Sequence, residues 1–445
     1  MGVGLGVIIA VLVVLAVLAV VRPKEAPPGV AGAPAGTRTA RVDALLAGLA
    51  DPDPLAWSAG ARDLARAAKS GQLTPGEVVA LLHAAVTLAP LDAAHDPQEA
   101  ILTCLFAIQH DDEFLAVLEK SIPHLREPSL RPAYAMLVQR ISGVDAFLRL
   151  ANRDPEHASY GLRQLSRGTV ATSSAQRDSV LAMARNPRLV DDVAWVALDW
   201  VRRGIVRAPA LALRGEDFVR GYRTARARLA AARAAHDHDV DSLTTTVGIY
   251  LDLVGRLAPA VVANDLDAAA RDRDPAVAVF AVISIVRGGR TPDAAALDAV
   301  VRHDRARWVL LQLLSAGDQQ SLIPARWRTQ EVLARTELAH WLSFPSELGT
   351  WPDEMELMNV VSVDAEGGAV LDMYVFKFRM KAPHRTASRG WMAGVSGPYV
   401  RGEPPRLGGA NTFSSMEPAD SRTAEEHAGR VAEILAQWRA AHGRG

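Results

Sequence analysis

A short pattern that marks the start of a helix recurs along the middle of this chain and constrains its fold more than any other feature. At Asp274-Pro275 an acidic residue can cap free backbone N–H groups, and proline takes the first helical position, where its missing N–H is tolerated. Val277, Ala281 and Ile285 follow at four-residue intervals, and Gly288-Gly289 predicts the helix end. The pattern returns at Glu127-Pro128, Asn186-Pro187 and, more weakly, Asp53-Pro54 and Asp154-Pro155.

Predicted helices follow one another from Thr39 to Ser343. Lengths of roughly 10–15 residues, joined by about two to six turn residues, are typical of paired helices packed side by side. The proline-marked starts are unevenly spaced, which indicates divergent repeats. This stretch resembles the HEAT/armadillo class of α-solenoids. The resemblance implies a binding scaffold in which neighbouring helical hairpins bury each other's apolar sides. A compact, non-repeating helical bundle is the alternative.

The composition suits closely packed helices. Apolar residues make up 49% of the chain but aromatic residues only 5%, a mixture that argues against disorder. The formal net charge of −1 favours neither nucleic acid nor an anionic membrane as a partner. The one cysteine, Cys104, can close no intrachain disulfide, and its apolar surroundings in the sequence predict a packing role.

The N-terminal residues predict a membrane anchor over residues 1–22. The uncharged run Val3–Val21 would form a helix of roughly 28 Å, close to a hydrocarbon core of ~30 Å. Arg22 and Lys24 follow the run and no basic residue precedes it, so the positive-inside rule places the N-terminus outside and the body in the cytoplasm. We therefore expect a single-pass protein of the inner (cytoplasmic) membrane, with a cleaved signal and an exported body as the alternative. Residues 23–38 are rich in Pro, Gly and Ala and predict a linker.

Residues 344–445 form a turn-rich and aromatic-rich segment in which no family is recognised. Met355–Val363 and Val370–Met380 predict a β-hairpin, and Trp391–Val395 is a candidate third strand. Gly397–Pro418 predicts a long loop before a final amphipathic helix, whose apolar stripe is Val431, Ile434, Leu435 and Trp438. The expected fold is mainly α, with an N-terminal transmembrane helix, a HEAT-like α-α superhelix over residues 39–343 and a small C-terminal α+β module.

Arginines dominate one helix of the array. The sequence from Arg202 to Arg233 contains nine arginines but only two acidic residues. A solvated face is the simpler interpretation, and a patch for an acidic partner or anionic lipid headgroups is the functional one. We name the four arginines that share the side next to the buried stripe of this helix the arginine stripe: Arg220, Arg223, Arg226 and Arg233.

A second set of binding candidates lies in the C-terminal module. Exposed aromatic side chains on irregular chain are typical of recognition sites, whereas the same side chains can simply attach a small domain to the array. The candidates are Trp351, Tyr374, Phe376 and Trp391.

Side chains with metal-binding or catalytic chemistry occur mainly at helix junctions. His236, His238 and Asp239 share one loop, but adjacent loop residues seldom converge on one ion, so helix capping is favoured over a metal site. Gly394–Pro398 departs from a nucleophile elbow because proline stands where its last glycine belongs. Three further pairs are similar to ligands of helical phosphohydrolases, although aspartate is a routine helix cap: His95-Asp96, His110-Asp111 and His303-Asp304. No phosphate-binding glycine loop, CxxC or HExxH motif occurs, so no cofactor is expected.

Together these features favour a non-catalytic, membrane-anchored scaffold that binds another protein through its array, its C-terminal module or both. One alternative is a hydrolase-type enzyme at a His/Asp metal site or in the C-terminal module, where the nearest polar groups are His384, Arg385 and Arg389. A third possibility is that the arginine stripe binds nucleic acid or anionic lipid. The near-neutral net charge argues against nucleic acid as the partner.

Overall fold

The computed structural model describes residues 38–442 except 93, 109, 168–171, 208–210, 258–259, 316–318, 365–368 and 404–411. The chain is mainly helical and carries a small antiparallel sheet near its C-terminus. It divides into two compact units with a boundary between Thr224 and Ala225. We refer to them as the N-terminal unit and the C-terminal unit.

The N-terminal unit contains ten complete α-helices within its described residues. They are α1 (Ala40–Leu49), α2 (Pro54–Lys69), α3 (Pro75–Thr87), α4 (Pro97–Leu105), α5 (Asp112–Ser121), α6 (Glu127–Leu137), α7 (Ile141–Arg153), α8 (Pro155–Arg167), α9 (Ser174–Ala182) and α10 (Val190–Arg202). Helix α11 (Gly215–Ala235) contains the boundary between the units.

Each helix from α1 to α8 packs on the helix two positions further along the chain. The odd-numbered helices therefore form one row and the even-numbered helices another, and pairs such as α1 and α2 or α7 and α8 pack between the rows. Apolar residues on several sides of a helix are buried by this arrangement, since each helix has neighbours in both rows. This order of neighbours is compatible with a helical repeat fold.

Most of the helix starts predicted from acid–proline pairs are confirmed. The Asp274 carboxylate accepts a hydrogen bond from the Ala276 N–H at 2.9 Å, Pro275 begins its helix, and Gly289 after the helix end has a φ of 74°. Asn186 behaves differently: it accepts from the Arg188 N–H at 3.0 Å, and α10 begins only at Val190. Its side chain stabilises a local turn before the helix, a common role for asparagine.

Several hydrogen bonds between neighbouring helices of one row share the same sequence separation. Arg126 and Asp96, Arg149 and Glu119, and His157 and Glu127 all bond across 30 residues. In the C-terminal unit the corresponding separation is 33 residues for the Ser284 hydroxyl and the Leu251 carbonyl. The shared separation of the first three bonds is compatible with a helical repeat fold.

The C-terminal unit combines further helices with the sheet. Its elements after α11 are α12 (Val240–Leu257), α13 (Ala263–Ala270), α14 (Pro275–Arg287), α15 (Ala294–Val301), α16 (Asp304–Ser315), α17 (Gln330–Leu342), β1 (Glu354–Asp364), β2 (Val370–Arg379), β3 (Met392–Val400), β4 (Thr412–Pro418) and α18 (Ala424–His442). Helices α12, α14, α16 and α17 pack in succession, and α13 and α15 pack against α14.

The four strands form an antiparallel meander in the order β1-β2-β3-β4, with α17 on one face and α18 on the other. In the sequence Tyr374, Phe376 and Phe378 alternate with Lys377 and Arg379, which predicts that the aromatic side chains share one face of β2, and the structure confirms this alternation. Phe376 and Phe378 face Leu338 of α17, whereas Val375 belongs to the core under Val431 of α18. Period-two alternation thus allows one strand to fill two cores.

Two details of the predicted C-terminal module are wrong. The predicted loop Gly397–Pro418 contains the end of β3 and all of β4, because β4 pairs with β3 through Val395 and Phe413. In the final helix Val431 is buried, but Ile434 is 43% exposed. The side chains of Leu435 and Trp438, like most of the predicted hairpin turn at 365–368, lie outside the described residues.

The membrane-spanning part of the predicted fold class is corrected. Among the helices of the described residues, none combines the length and the apolar character needed to cross a bilayer. The run Val3–Val21 lies outside the described residues. The prediction of a single-pass inner-membrane protein is therefore not supported, and the fold class becomes mainly helical with a small C-terminal antiparallel sheet.

The close contact of α1 and α2 at Gly48 and Gly60 leads to a stability prediction. A Cβ built on Gly60 would lie 2.6 Å from the carbonyl carbon of Gly48. Because this neighbour is backbone, helix α1 must shift. Gly60→Ala should therefore lower the free energy of unfolding by about 1–3 kcal/mol, measured by urea denaturation followed by circular dichroism.

Gly429→Ala on α18 is the matched control. An added Cβ there meets no atom within 4 Å. Since alanine stabilises an exposed helix relative to glycine, this variant should gain about 0.5–1 kcal/mol. A loss of equal size in both variants would contradict the close approach of α1 and α2.

Candidate binding surfaces

The structure places two residues of the arginine stripe, Arg226 and Arg233, at a cavity in the C-terminal unit. The cavity has a volume of about 630 Å³. Helix α11 supplies the two stripe residues, and α13 with the loop before α14 supplies the rest of the lining: Ala268, Arg271, Asp272, Arg273 and Asp274. Four arginines and two aspartates give this arginine cavity a formal excess of two positive charges.

Both aspartates of the cavity are engaged by the fold. Arg233 donates from Nη1 to Asp272 at 3.0 Å and from Nη2 to Asp274 at 2.7 Å. Asp272 also accepts the Asp274 N–H at 2.9 Å, and Asp274 caps α14. The same acid–proline pair that predicts the start of α14 therefore also holds the guanidinium of Arg233.

The cavity arginines differ in how strongly they are bound. Arg226 donates to the Asp265 carbonyl at 3.3 Å. Arg271 and Asp293 form an ion pair of 3.5 Å, with side chains 59% and 46% exposed. Arg273 is exposed and has no ion-pair partner within the part of the chain that the structure describes. It is therefore the cation of this cavity most accessible to a ligand.

The other two stripe residues belong to the N-terminal unit. Arg220 pairs with Asp217, one turn earlier on α11. Arg223 is exposed and also has an interaction partner. Of the four stripe residues, Arg220 and Arg233 are thus neutralised by carboxylates, and Arg226 is held by a carbonyl. The stripe is not a row of free cations.

A set of polar contacts along α6, α8 and α10 was not anticipated from the sequence. His157 hydrogen-bonds Asp154 through Nδ1 at 2.6 Å and Glu127 through Nε2 at 2.5 Å. The Tyr160 hydroxyl donates to Glu127 at 3.3 Å. We name the residues that connect these three helices the cross-repeat ladder: Glu127, Arg131, His157, Tyr160, Arg163 and Asp192.

The ladder continues on both sides of His157. The Arg131 guanidinium lies 5.4 Å from the centre of the Tyr160 ring, within the range of a cation–π contact. Arg163 donates to Asp192 at 3.0 Å. Burial raises the pKa of Asp192, although the Arg163 charge opposes this shift. The residues lie about 30 positions apart in the sequence, so no local motif signals the ladder.

The aromatic candidates of the C-terminal module have different environments. Tyr374 and Phe376 are buried against α17, and Trp351 is partly buried at the edge of the same core. Trp391 is partly exposed, with Lys377 Nζ at 4.7 Å and Arg379 Cζ at 4.6 Å from its ring centre. A further aromatic group surrounds His340, which stacks on Trp308 at 3.8 Å and has a pKa lowered to about 4 by burial.

The residues considered for catalysis are bound to other protein groups or exposed. His384 hydrogen-bonds the Thr386 hydroxyl at 2.8 Å and the Leu348 carbonyl at 3.1 Å, which occupies both ring nitrogens. Arg385 donates to a carbonyl at 3.2 Å, and Arg389 is exposed. Ser396 of the elbow-like sequence is fully buried on β3.

Most of the predicted metal candidates act as helix caps or lie in solvent. His238 is 88% exposed and contacts Asp237 and Asp239 at 2.9 and 3.4 Å. His236 takes a left-handed conformation just after α11, with a φ of 54°. Asp96 and Asp111 cap α4 and α5 as the capping interpretation predicts, and Asp304 begins α16. His95 contacts Asp92, His110 is buried and bonds the Leu105 carbonyl, and His303 is exposed.

The position of His157 between two carboxylates predicts a pH-dependent contribution to stability. Burial lowers its pKa, but the hydrogen bonds to Asp154 and Glu127 outweigh burial and raise it overall. The contribution is complete below the unfolded value of about 6.5 and is lost as the pH rises through the raised folded pKa. Because both carboxylates are well exposed, we expect at most about 1 kcal/mol.

The measurement is the difference in unfolding free energy between the protein and His157→Gln from pH 5 to pH 9. It should shrink as the pH rises. Buried His110 has a pKa lowered to about 4 and acts in the opposite direction, but it is common to both proteins and cancels. His124→Gln, which removes an imidazole at an exposed position, is the matched control for the substitution itself. A difference for His157→Gln that does not vary with pH would contradict the bridging geometry.

Comparisons with known proteins give this chain no relative. No protein-family model matches it, and neither a curated protein nor a solved structure does.

Proposed function

We propose that this chain is a helical-repeat scaffold of the HEAT/armadillo type that binds another protein and does not catalyse a reaction. The order of neighbouring helices and the recurring 30-residue separation of their hydrogen bonds support the repeat assignment. Repeats of this kind present side chains of successive helices next to one another, which suits recognition of an extended partner.

The cross-repeat ladder is the observation that carries this proposal. It brings Arg131, Tyr160 and Arg163 onto neighbouring even-numbered helices. Trp195 lies one turn after Asp192 on α10 and is 38% exposed. Arginine, tyrosine and tryptophan are the residue types most enriched at binding hot spots. We assign the partner-binding face of the N-terminal unit to α6, α8 and α10.

Two observations favour binding over catalysis. The two ring nitrogens of His384 are hydrogen-bonded to Thr386 and Leu348, so this imidazole has no free nitrogen for proton transfer. Ser396 shares a buried hydrogen bond of 3.0 Å with the Tyr399 hydroxyl, which in turn donates to Glu337 of α17 at 2.8 Å. These groups connect the sheet to α17, a structural role.

The test uses the full chain, because α17 and the sheet share one core. A chain that ends at Leu342 would lack the sheet and would expose the apolar side of α17. A photo-reactive phenylalanine analogue replaces Trp195 in one variant and the exposed Leu55 of α2 in another. Both variants are irradiated in extract from the source cells. We expect a protein adduct from position 195 that is absent from position 55.

The adduct must also depend on the ladder. Tyr160→Ala in the position-195 variant should reduce its yield several-fold, since one hot-spot side chain typically contributes more than about 1 kcal/mol. Circular dichroism confirms that this variant is folded. No adduct from position 195, or the same adduct from both positions, would contradict the proposed function.

A further inference from the structure

We propose that the arginine cavity of the C-terminal unit binds an acidic peptide segment of the partner protein. The inference depends on the proposed scaffold function and specifies the chemistry of the partner. The ligand groups would be aspartate or glutamate carboxylates that contact Arg226, Arg271 and Arg273 at the open side of the cavity.

The size of the cavity suits several side chains. Its volume of about 630 Å³ is far larger than one carboxylate needs. Ligand sites typically have volumes of about 300–1,000 Å³. The lining comes from α11, α13 and the loop before α14, and the packed helix α14 supports that loop. The cavity therefore has room for a short stretch of peptide.

The charge of the cavity selects an anion. Asp272 and Asp274 are occupied by Arg233 and by backbone N–H groups, so the fold itself satisfies both negative charges. Arg273 has no ion-pair partner among the described residues, and the exposed pair of Arg271 with Asp293 is of the kind that contributes little to stability. A ligand carboxylate can therefore displace water from Arg273 and exchange with Asp293 at low cost.

Arginine also gives the site a preferred geometry. The planar guanidinium can donate two parallel hydrogen bonds to one carboxylate. Arg233 is held by two aspartates, and Arg226 is held by the Asp265 carbonyl. Side chains that are ordered before binding lose less conformational entropy on binding. The cavity wall is thus largely preorganised, while Arg273 supplies the accessible charge.

The surroundings favour a carboxylate over a phosphate group. Phosphate sites commonly use free backbone N–H groups at the start of a helix. At the start of α14 the Ala276 N–H already donates to Asp274, and the Asp274 N–H donates to Asp272.

The test measures binding of a fluorescein-labelled poly-glutamate peptide to the full-length protein by fluorescence anisotropy. A poly-glutamine peptide of equal length controls for non-ionic binding. We expect Arg273→Gln to weaken binding roughly two- to fivefold, as for loss of one exposed ion pair. Arg271→Gln combined with Arg273→Gln should weaken it further. Arg185→Gln makes the same charge change at an exposed position of the N-terminal unit and should leave binding unchanged.

Each remaining outcome overturns the inference. Equal binding of poly-glutamine, or equal weakening by Arg273→Gln and Arg185→Gln, would show that the cavity does not select the peptide. Displacement by inorganic phosphate at lower concentration than by free glutamate would identify a phosphate site instead. Circular dichroism of each variant verifies its fold.

A final comparison separates this inference from the proposed function. The full chain with the photo-reactive residue at position 195 and with Arg273 unchanged is tested both for the partner adduct and for poly-glutamate binding. If the partner adduct forms at position 195 but poly-glutamate does not bind, the scaffold function stands and the acidic-peptide inference fails. If poly-glutamate binds in the cavity but no adduct forms, the inferred chemistry stands and the proposed binding face fails.

Discussion

Burial of apolar side chains between helices two positions apart is the interaction on which the rest of this structure depends. On α14, for example, Val277, Ala281 and Ile285 are all almost completely buried. A fully buried valine or isoleucine side chain contributes about 1.5–3 kcal/mol, whereas an exposed ion pair contributes about 0–1 kcal/mol. Apolar packing therefore decides that helices associate, and polar contacts act within an arrangement already set by it.

The polar contacts have a different role, because they bring together groups that are distant in the sequence. His157 meets Glu127 across 30 residues, and Arg233 meets Asp272 across 39. In both places a residue at the start of one helix also hydrogen-bonds a side chain of a neighbouring helix. Asp274 shows this most clearly, since one carboxylate oxygen caps α14 and the other holds Arg233. Helix starts and candidate binding surfaces therefore depend on the same side chains.

The C-terminal sheet is connected to the helices of its unit by a shared core. Leu338 and Leu342 of α17 pack against Phe376 and Phe378, while α18 covers the opposite face of the sheet. Among the aromatic candidates, Tyr374 and Phe376 are buried in this core. Trp391 is partly exposed and lies beside the basic side chains of Lys377 and Arg379. A substitution on the core side of α17 should therefore change the stability of both the sheet and the helices of this unit.

The sequence by itself determined the features that depend on near neighbours. Acid–proline pairs predicted the starts of α2 and α14 because capping involves only adjacent residues, and period-two alternation predicted the faces of β2 for the same reason. Only the tertiary structure decided the features made by distant residues. Strand β4 exists because it pairs with β3, and the ladder around His157 and the arginine cavity join helices whose sequence separation carries no local signal. The HEAT/armadillo assignment stays a proposal, since no protein-family model matches the chain.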